Sequence, residues 1–187
     1  MPESPRRTPP PVLYIPRPST WLMWHARWFA PGKRVLDIAS GEGRHALMAA
    51  QWGASVVALE NDEDKLETAR EAASRLGVEV DFKAVDLEGP WPELGAFDAV
   101  LVFNYLDRSR MGFIRELVAP GGVLLMETYL EGQREQGWGP TSPAYLLKPG
   151  ELATLVAPLE IIHGREVIEP LESARLRIVA SVIAQRR

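Results

Sequence analysis

The sequence predicts an open, doubly wound α/β fold: a mostly parallel sheet of seven strands that ends in an antiparallel hairpin, with helices on both faces. Three observations carry this. From residue 34 onward, apolar β-forming runs alternate with amphipathic segments, the pattern of strands joined by crossovers. The runs beginning at Arg34, Ser55, Val78 and Phe97 each end in glycine, acidic or amide residues, at the edge where such a sheet places its ligands. The last two runs, Leu159 to Ile168 and Ala174 to Gln185, stand too close for a crossover and must pair as a hairpin.

Met1 to Pro18 holds seven prolines and no apolar core of a signal peptide. It is read as a tail over the surface, with a proline-rich ligand for a partner domain as the alternative. A single domain is expected over residues 19–187. Ser19 or Thr20 caps a predicted helix through Ala30, which Pro31-Gly32 ends. Trp21, Trp24 and Trp28 would share its face, suited to packing on the sheet and to roofing a cavity.

Val35 to Gly53 organises the rest. A strand, Arg34 to Ile38, stops at Ala39-Ser40-Gly41-Glu42-Gly43, and a helical pattern follows to Gly53. A glycine turn here lets a ligand approach bare backbone and aims free N–H groups at it. Gly41-x-Gly43-x-x-Ala46 also fits a dinucleotide fingerprint, so Asp37 decides between cofactors. A carboxylate there faces a pyrophosphate with the wrong sign, at ~4 kcal/mol for like charges 4 Å apart at an effective dielectric of ~20. It suits the ammonium and sulfonium of S-adenosylmethionine.

Ser55 to Asn61 is a second strand; its Glu60 stands where a second βα unit places an acceptor for ribose hydroxyls. Asp62 to Leu76 is an amphipathic helix stopped by Gly77, its charges read as a solvated face. Val78 to Val85 is a third strand running into Asp86-Leu87, a carboxylate and a backbone N–H able to read adenine. Pro90-Trp91-Pro92 and Gly95 make a rigid turn. Phe97 to Phe103, apolar without alternation, is the central strand, and it delivers Asn104 and Tyr105 to the catalytic end as the candidates for touching substrate. Ser109 to Ala119 is a short helix, Pro120-Gly121-Gly122 a turn, and Val123 to Tyr129 a fifth strand. Leu130 to Leu147 is a long polar segment leaving a strand's carboxyl end, read with Lys148 as a lid. Pro149 opens a helix to Val156.

Composition narrows the classes. The 187 residues are 46% hydrophobic and 25% charged, globular values, and carry a net charge of −4, which supplies no whole-domain basic field for nucleic acid. There is no cysteine, which removes disulfide, thiolate and Cys-ligated metal chemistry. No run is long and apolar enough to span a bilayer, and a soluble cytoplasmic protein is expected.

These elements in this order resemble a class I S-adenosylmethionine-dependent methyltransferase, a Rossmann-like fold, over residues 19–187. VLDIASGEG is similar to that family's first motif, ALEN to its ribose motif, AVDLEG to its adenine motif, FDAVLVFNYL to its fourth and VAPGGVLLMET to its fifth. Gly41-Glu42-Gly43-Arg44, Asn104-Tyr105-Leu106-Asp107-Arg108, Pro120-Gly121-Gly122 with Glu127-Thr128, and Leu146 to Leu152 further resemble the tellurite-resistance-like bacterial methyltransferases. The resemblance implies that Asp37, Ala39, Arg44 and the Gly41 and Gly43 backbone hold the methionine end. It implies Glu60 for the ribose, Asp86 and Leu87 for adenine, and Asn61, Phe103 and Asn104 around the adenosine. The product would be S-adenosylhomocysteine; the chalcogen-oxyanion activity of the family's named member is not carried over.

Methyl transfer leaves a thioether that needs no proton, so positioning can supply up to about 7–11 kcal/mol and only the acceptor could need a base. Tyr105, Asp107, Glu127, Tyr129 and His25 are the reachable groups; His45 and His163 are read as structural, and no metal is expected. A small-molecule acceptor is the leading reading. The alternatives are an RNA methyltransferase, an NAD-dependent oxidoreductase, or a non-catalytic cofactor-binding module.

Overall fold

The computed structural model of the chain describes residues 17–171 and 175–187. The proline-rich tail up to residue 16, and Ala174 at the expected start of the last strand, lie outside them. Seven strands form one sheet in the order β3-β2-β1-β4-β5-β7-β6. They are β1 Arg34–Ile38, β2 Ser55–Glu60, β3 Asp81–Ala84, β4 Phe97–Phe103, β5 Val118–Tyr129, β6 Glu160–Pro170 and β7 Leu176–Gln185. The first five run parallel and the last two form the antiparallel hairpin. Among the described residues the α-helices are α1 Thr20–Trp24, α2 Arg44–Gln51, α3 Glu63–Leu76, α4 Met111–Glu116 and α5 Glu151–Val156.

The apolar run of β4 follows from burial on both faces. Val100 and Val102 enter one layer with Met111 and Ile114 of α4 and Leu152 and Val156 of α5. Ala99, Leu101 and Phe103 enter the other with Trp21 and Leu22 of α1 and Ala46 and Ala49 of α2. The strand order reverses between β1 and β4, so the turn after β1 and the residues after β4 share one crevice.

Several elements differ from the sequence reading. The expected helix through Ala30 breaks at His25 into α1 and a 3-10 turn, Ala26–Phe29. The His25 Nδ1 lies 2.7 Å from the Trp21 carbonyl, the acceptor its own N–H would need in a continuous helix, and that N–H donates to Leu22 O instead. The break divides the three indoles: Trp21, buried, and Trp24, 59% exposed, keep their rings 6.0 Å apart on α1, whereas half-buried Trp28 falls on the 3-10 turn. The third strand starts at Asp81 rather than Val78, because the Val78 N–H closes the end of α3 on Ala73 O. No helix joins β3 to β4, so the crossovers are not uniformly βα units; Pro90, Pro92 and the left-handed Gly95 deny that segment helical bonds.

The fourth helix ends at Glu116, not Ala119, and Pro120-Gly121-Gly122 is not a free turn but a bulged start of β5. A Cβ on Gly122 would meet the Phe97, Asp98 and Ala119 carbonyl oxygens at 2.8–2.9 Å, so the strands close there only on glycine. The fifth helix begins at Glu151, after a left-handed Gly150.

The segment read as a lid is anchored at its base by a Leu130–Leu147 bridge. Inside it, buried Gln133 accepts the Ile178 N–H (2.8 Å) and donates to Trp138 O (3.1 Å), and the Trp138 indole donates to Leu176 O. It is thus tied to the start of β7. Among the described residues no helix is long and apolar enough to cross a membrane.

Candidate active site

Sequence dictates a glycine turn after β1, and the structure builds it from three left-handed residues: Ala39 (φ 57°), Gly41 (φ 57°) and Gly43 (φ 77°). Gly41 faces open space, so the backbone there is accessible to a ligand. Gly43 serves packing instead. A Cβ on it would meet Ala69 at 3.2 Å and Phe82 at 3.3 Å, and the residue seats α2 against α3 and β3. Ala39 holds a backbone that costs an L-residue with a Cβ about 1–2 kcal/mol. Ala39→Gly is therefore expected to raise stability by about 1 kcal/mol, a rise of roughly 2–4 °C in melting temperature; no gain would mean the turn is unstrained.

Asp37 is 1% exposed at the end of β1, and its Oδ2 accepts the Ala46 N–H at 3.1 Å. Gly43 has no side chain to cap α2, so a carboxylate from the neighbouring strand satisfies one of its free N–H groups. Burial pushes the Asp37 carboxyl up to about 7, against the opposing effects of the Ala46 N–H and the Arg44 charge.

Glu60 closes the other side of the turn. It is 6% exposed; Oε2 accepts the Gly41 N–H (2.8 Å), and Oε1 accepts the N–H groups of Asn61 (3.0 Å) and Asp62 (3.2 Å). A carboxylate has about four lone-pair sites, which leaves one on Oε2 for an incoming hydroxyl.

Between these elements lies a cavity of about 510 Å³, the size of a small-molecule site. Of the residues expected around a cofactor, Ala39, Gly41, Arg44, Glu60, Phe103 and Asn104 line it. Asp37, Gly43, Asn61, Asp86 and Leu87 do not. Asp86 is exposed and accepts the Glu88 N–H, while Leu87 is buried in the opposite core layer.

Tyr105 also turns away, into a second cavity beside Asp107 and Tyr145. Its hydroxyl is buried without a partner there, and burial pushes it up to about 12, out of range of proton transfer at neutral pH. Asn104 sits at φ 56° with its N–H on Glu127 O (2.9 Å), a left-handed position that asparagine tolerates.

The sequence reading did not include Ser40, Glu42, His45 and Lys65 among the residues around the cofactor, yet they line the cavity too. Ser40 follows from the turn itself, and its Oγ is buried with no hydrogen-bond partner. Lys65 stands on the helix face read as merely solvated, paired with Asp62 at 3.2 Å. His45 stacks on Phe103 (centroids 4.0 Å), and its Nε2 accepts the Ser19 N–H at 3.2 Å. Burial and nearby Arg44 and Arg177 hold His45 well below the ordinary histidine range. It is neutral, with its accepting nitrogen engaged. His25 is likewise lowered by burial and packs on Trp21 and His163.

A sheet in this order, with an open glycine turn after β1, an acceptor carboxylate after β2 and a cavity between them, defines a class I S-adenosylmethionine-dependent methyltransferase. The comparisons place the chain in that family. Residues 35–122 match the family described as methyltransferase domain. A ubiquinone biosynthesis O-methyltransferase of Methylocella silvestris is 30% identical over 158 residues, 82% of this chain and 59% of that protein. A demethylmenaquinone methyltransferase of Thermus thermophilus is 39% identical over 102 residues, 50% of this chain and 46% of that protein. The chain thus spans about half to three fifths of these relatives' length. Among solved structures, TehB from Haemophilus influenzae aligns with a TM-score of 0.74 at 16% identity, over 89% of this chain and 61% of that one. An S-adenosylmethionine-dependent methyltransferase from Methanosarcina mazei aligns at 0.71 and 18% identity, over 88% and 96%. These two likenesses are of fold.

S-adenosylmethionine is the cofactor this family implies, and the residues present fit it. Glu60 keeps a free acceptor site at the cavity, Gly41 leaves room for close approach, and the buried Ser40 Oγ lacks a partner.

Proposed function

We propose that the chain transfers a methyl group from S-adenosylmethionine to a small organic acceptor. The observation that carries this is Glu60, a buried carboxylate on the wall of the cavity that also receives the Gly41 N–H, so that one side chain joins the glycine turn to a ribose acceptor. When bound, the cofactor supplies an electrophilic methyl group and leaves as a neutral thioether. The chain's own part is to orient and to exclude water: Glu60 and the Gly41 backbone hold the nucleoside, Arg44 and Asn104 bound the cavity, and Phe103, braced by His45, forms its floor. The relatives that act on ubiquinone and menaquinone precursors by name support a small acceptor.

Of the four arginines near the C-terminus, Arg175 lies over the Trp138 ring and the other three are held by neighbouring groups, which supports the reading as well. Arg177 is buried among carboxylates, Arg186 binds the Glu116 and Val118 carbonyls, and Arg187 pairs with Glu160.

Incubation with methyl-labelled S-adenosylmethionine tests the reading: label should enter small molecules of a cell extract, and label confined to RNA or protein would overturn the acceptor class. Glu60→Gln should weaken S-adenosylhomocysteine binding ten- to hundredfold, the worth of about 1.5–3 kcal/mol for a hydrogen bond to a charged group. Calorimetric titration checks it, and an unchanged affinity would remove Glu60 from the site.

A further inference from the structure

The sheet face that carries Phe103 continues past the cavity into a second set of charges. Register places Glu127 beside Phe103 and Ser181, Arg165 beside Ser181, and Glu169 beside Arg177. With side chains alternating along each strand, Glu127, Tyr129, Arg165, Glu169 and Arg177 all rise from that one face. Glu127 is fully buried and receives the hydroxyls of Ser19 (2.6 Å) and Ser181 (2.8 Å) and the guanidiniums of Arg177 (3.1 Å) and Arg165 (3.3 Å). Both arginines also reach Glu169. Two cations therefore share two anions.

Arg44 is a third cation on the same side of the molecule, on a cavity wall that also carries Lys65, Glu42 and Glu60. It lines the cavity, donates to the Arg17 carbonyl at 3.3 Å, and forms no ion pair among the described residues. The Nε atoms of Arg177 and Arg165 are both buried without a hydrogen-bond partner, and Arg177 is 8% exposed. Tyr129 stands within the influence of both guanidiniums. A guanidinium without an ion pair among the described residues stands on the cavity wall, and buried guanidinium N–H groups without acceptors stand on the sheet face that carries Phe103. Unfilled donors in a buried place call for an acceptor.

Building on the methyltransferase reading, we infer that Arg44, Arg177 and Tyr129 form the acceptor's recognition subsite and select small organic acids or phenols bound as oxyanions. Guanidinium donors suit carboxylate and phenolate oxygens, and Glu127 is the positioning residue that fixes Arg177. An acceptor bound as its anion has already given its proton to water. This accounts for a cavity whose histidine is neutral and engaged, and whose buried carboxylate, Glu60, is taken up by three backbone N–H groups.

The test uses the full chain and begins with S-adenosylhomocysteine titration. Absence of binding would overturn the methyltransferase reading, and this proposal with it. The saturated protein is then titrated with benzoate and with benzamide, an anionic and a neutral probe of one shape. Benzoate should bind at least tenfold more tightly, the preference should shrink between 0.05 and 0.5 M salt, and Arg44→Gln should reduce it below threefold. Arg177→Met should reduce it likewise, while Arg177→Lys should retain most of it. Equal affinity of the two probes for the saturated wild-type protein would overturn the subsite alone.

Discussion

Replacing Glu127 by alanine is expected to destabilise the protein by about 3–5 kcal/mol, the cost of removing one partner from a buried ion cluster. The substitution leaves Arg165 and Arg177 facing Glu169 alone, with guanidinium side chains only 14% and 10% exposed. It also strands the hydroxyls of Ser19 and Ser181. Ser19 caps α1, so losing its anchor loosens Trp21 and Trp24, over whose rings the Arg165 guanidinium lies at 4.9 and 4.8 Å. Urea unfolding followed by tryptophan fluorescence should show the midpoint shift, and the melting temperature should fall by roughly 10 °C or more. Glu127→Gln should cost less, because it keeps an acceptor for the hydroxyls. A loss below about 1 kcal/mol for Glu127→Ala would show that the cluster is screened like a surface pair.

Asp37→Asn should separate stability from binding. The folded carboxyl stands at about 7 because burial disfavours its charge, against 3.8 ordinarily, so the native state holds a proton that the unfolded chain has lost between those two values. The stabilisation is present in full below about 3.8 and is lost as pH rises through about 7, on the order of 4 kcal/mol in all. Asparagine cannot ionise and still offers an oxygen to the Ala46 N–H. The variant should therefore match or exceed the wild type in stability at pH 8.5, and its stability curve should lack the downward slope between pH 4 and 7. Because Asp37 does not line the cavity, affinity for S-adenosylhomocysteine should change little in the variant. Parallel stability curves for the two proteins would contradict the account of Asp37.

The strands β1 and β4 and the glycine turn were legible because each answers to local rules: short apolar runs buried on both faces, and left-handed positions that call for glycine. Glu60 was legible from its place at a strand end. What was not legible depends on contacts far apart in the chain. Ser19 and Glu127 are 108 residues apart, and nothing near either announces the bond between them. The break at His25 turns on which donor reaches the Trp21 carbonyl, a choice that the spacing of three tryptophans does not encode. The direction of Tyr105 likewise depends on a single backbone residue: left-handed Asn104 swings the following side chain into the other cavity. Lys65 looked like one more charge on a solvated helix because the cavity beneath it is made by a different strand.

Calorimetric titration of the full chain with S-adenosylmethionine, S-adenosylhomocysteine and NAD tests the central claim most directly. The account predicts micromolar binding of the first two and none of NAD, because the carboxylates of Glu42 and Glu60 stand on the cavity wall and repel a pyrophosphate. Binding of NAD without the other two would contradict it, and so would a chain that binds none of the three.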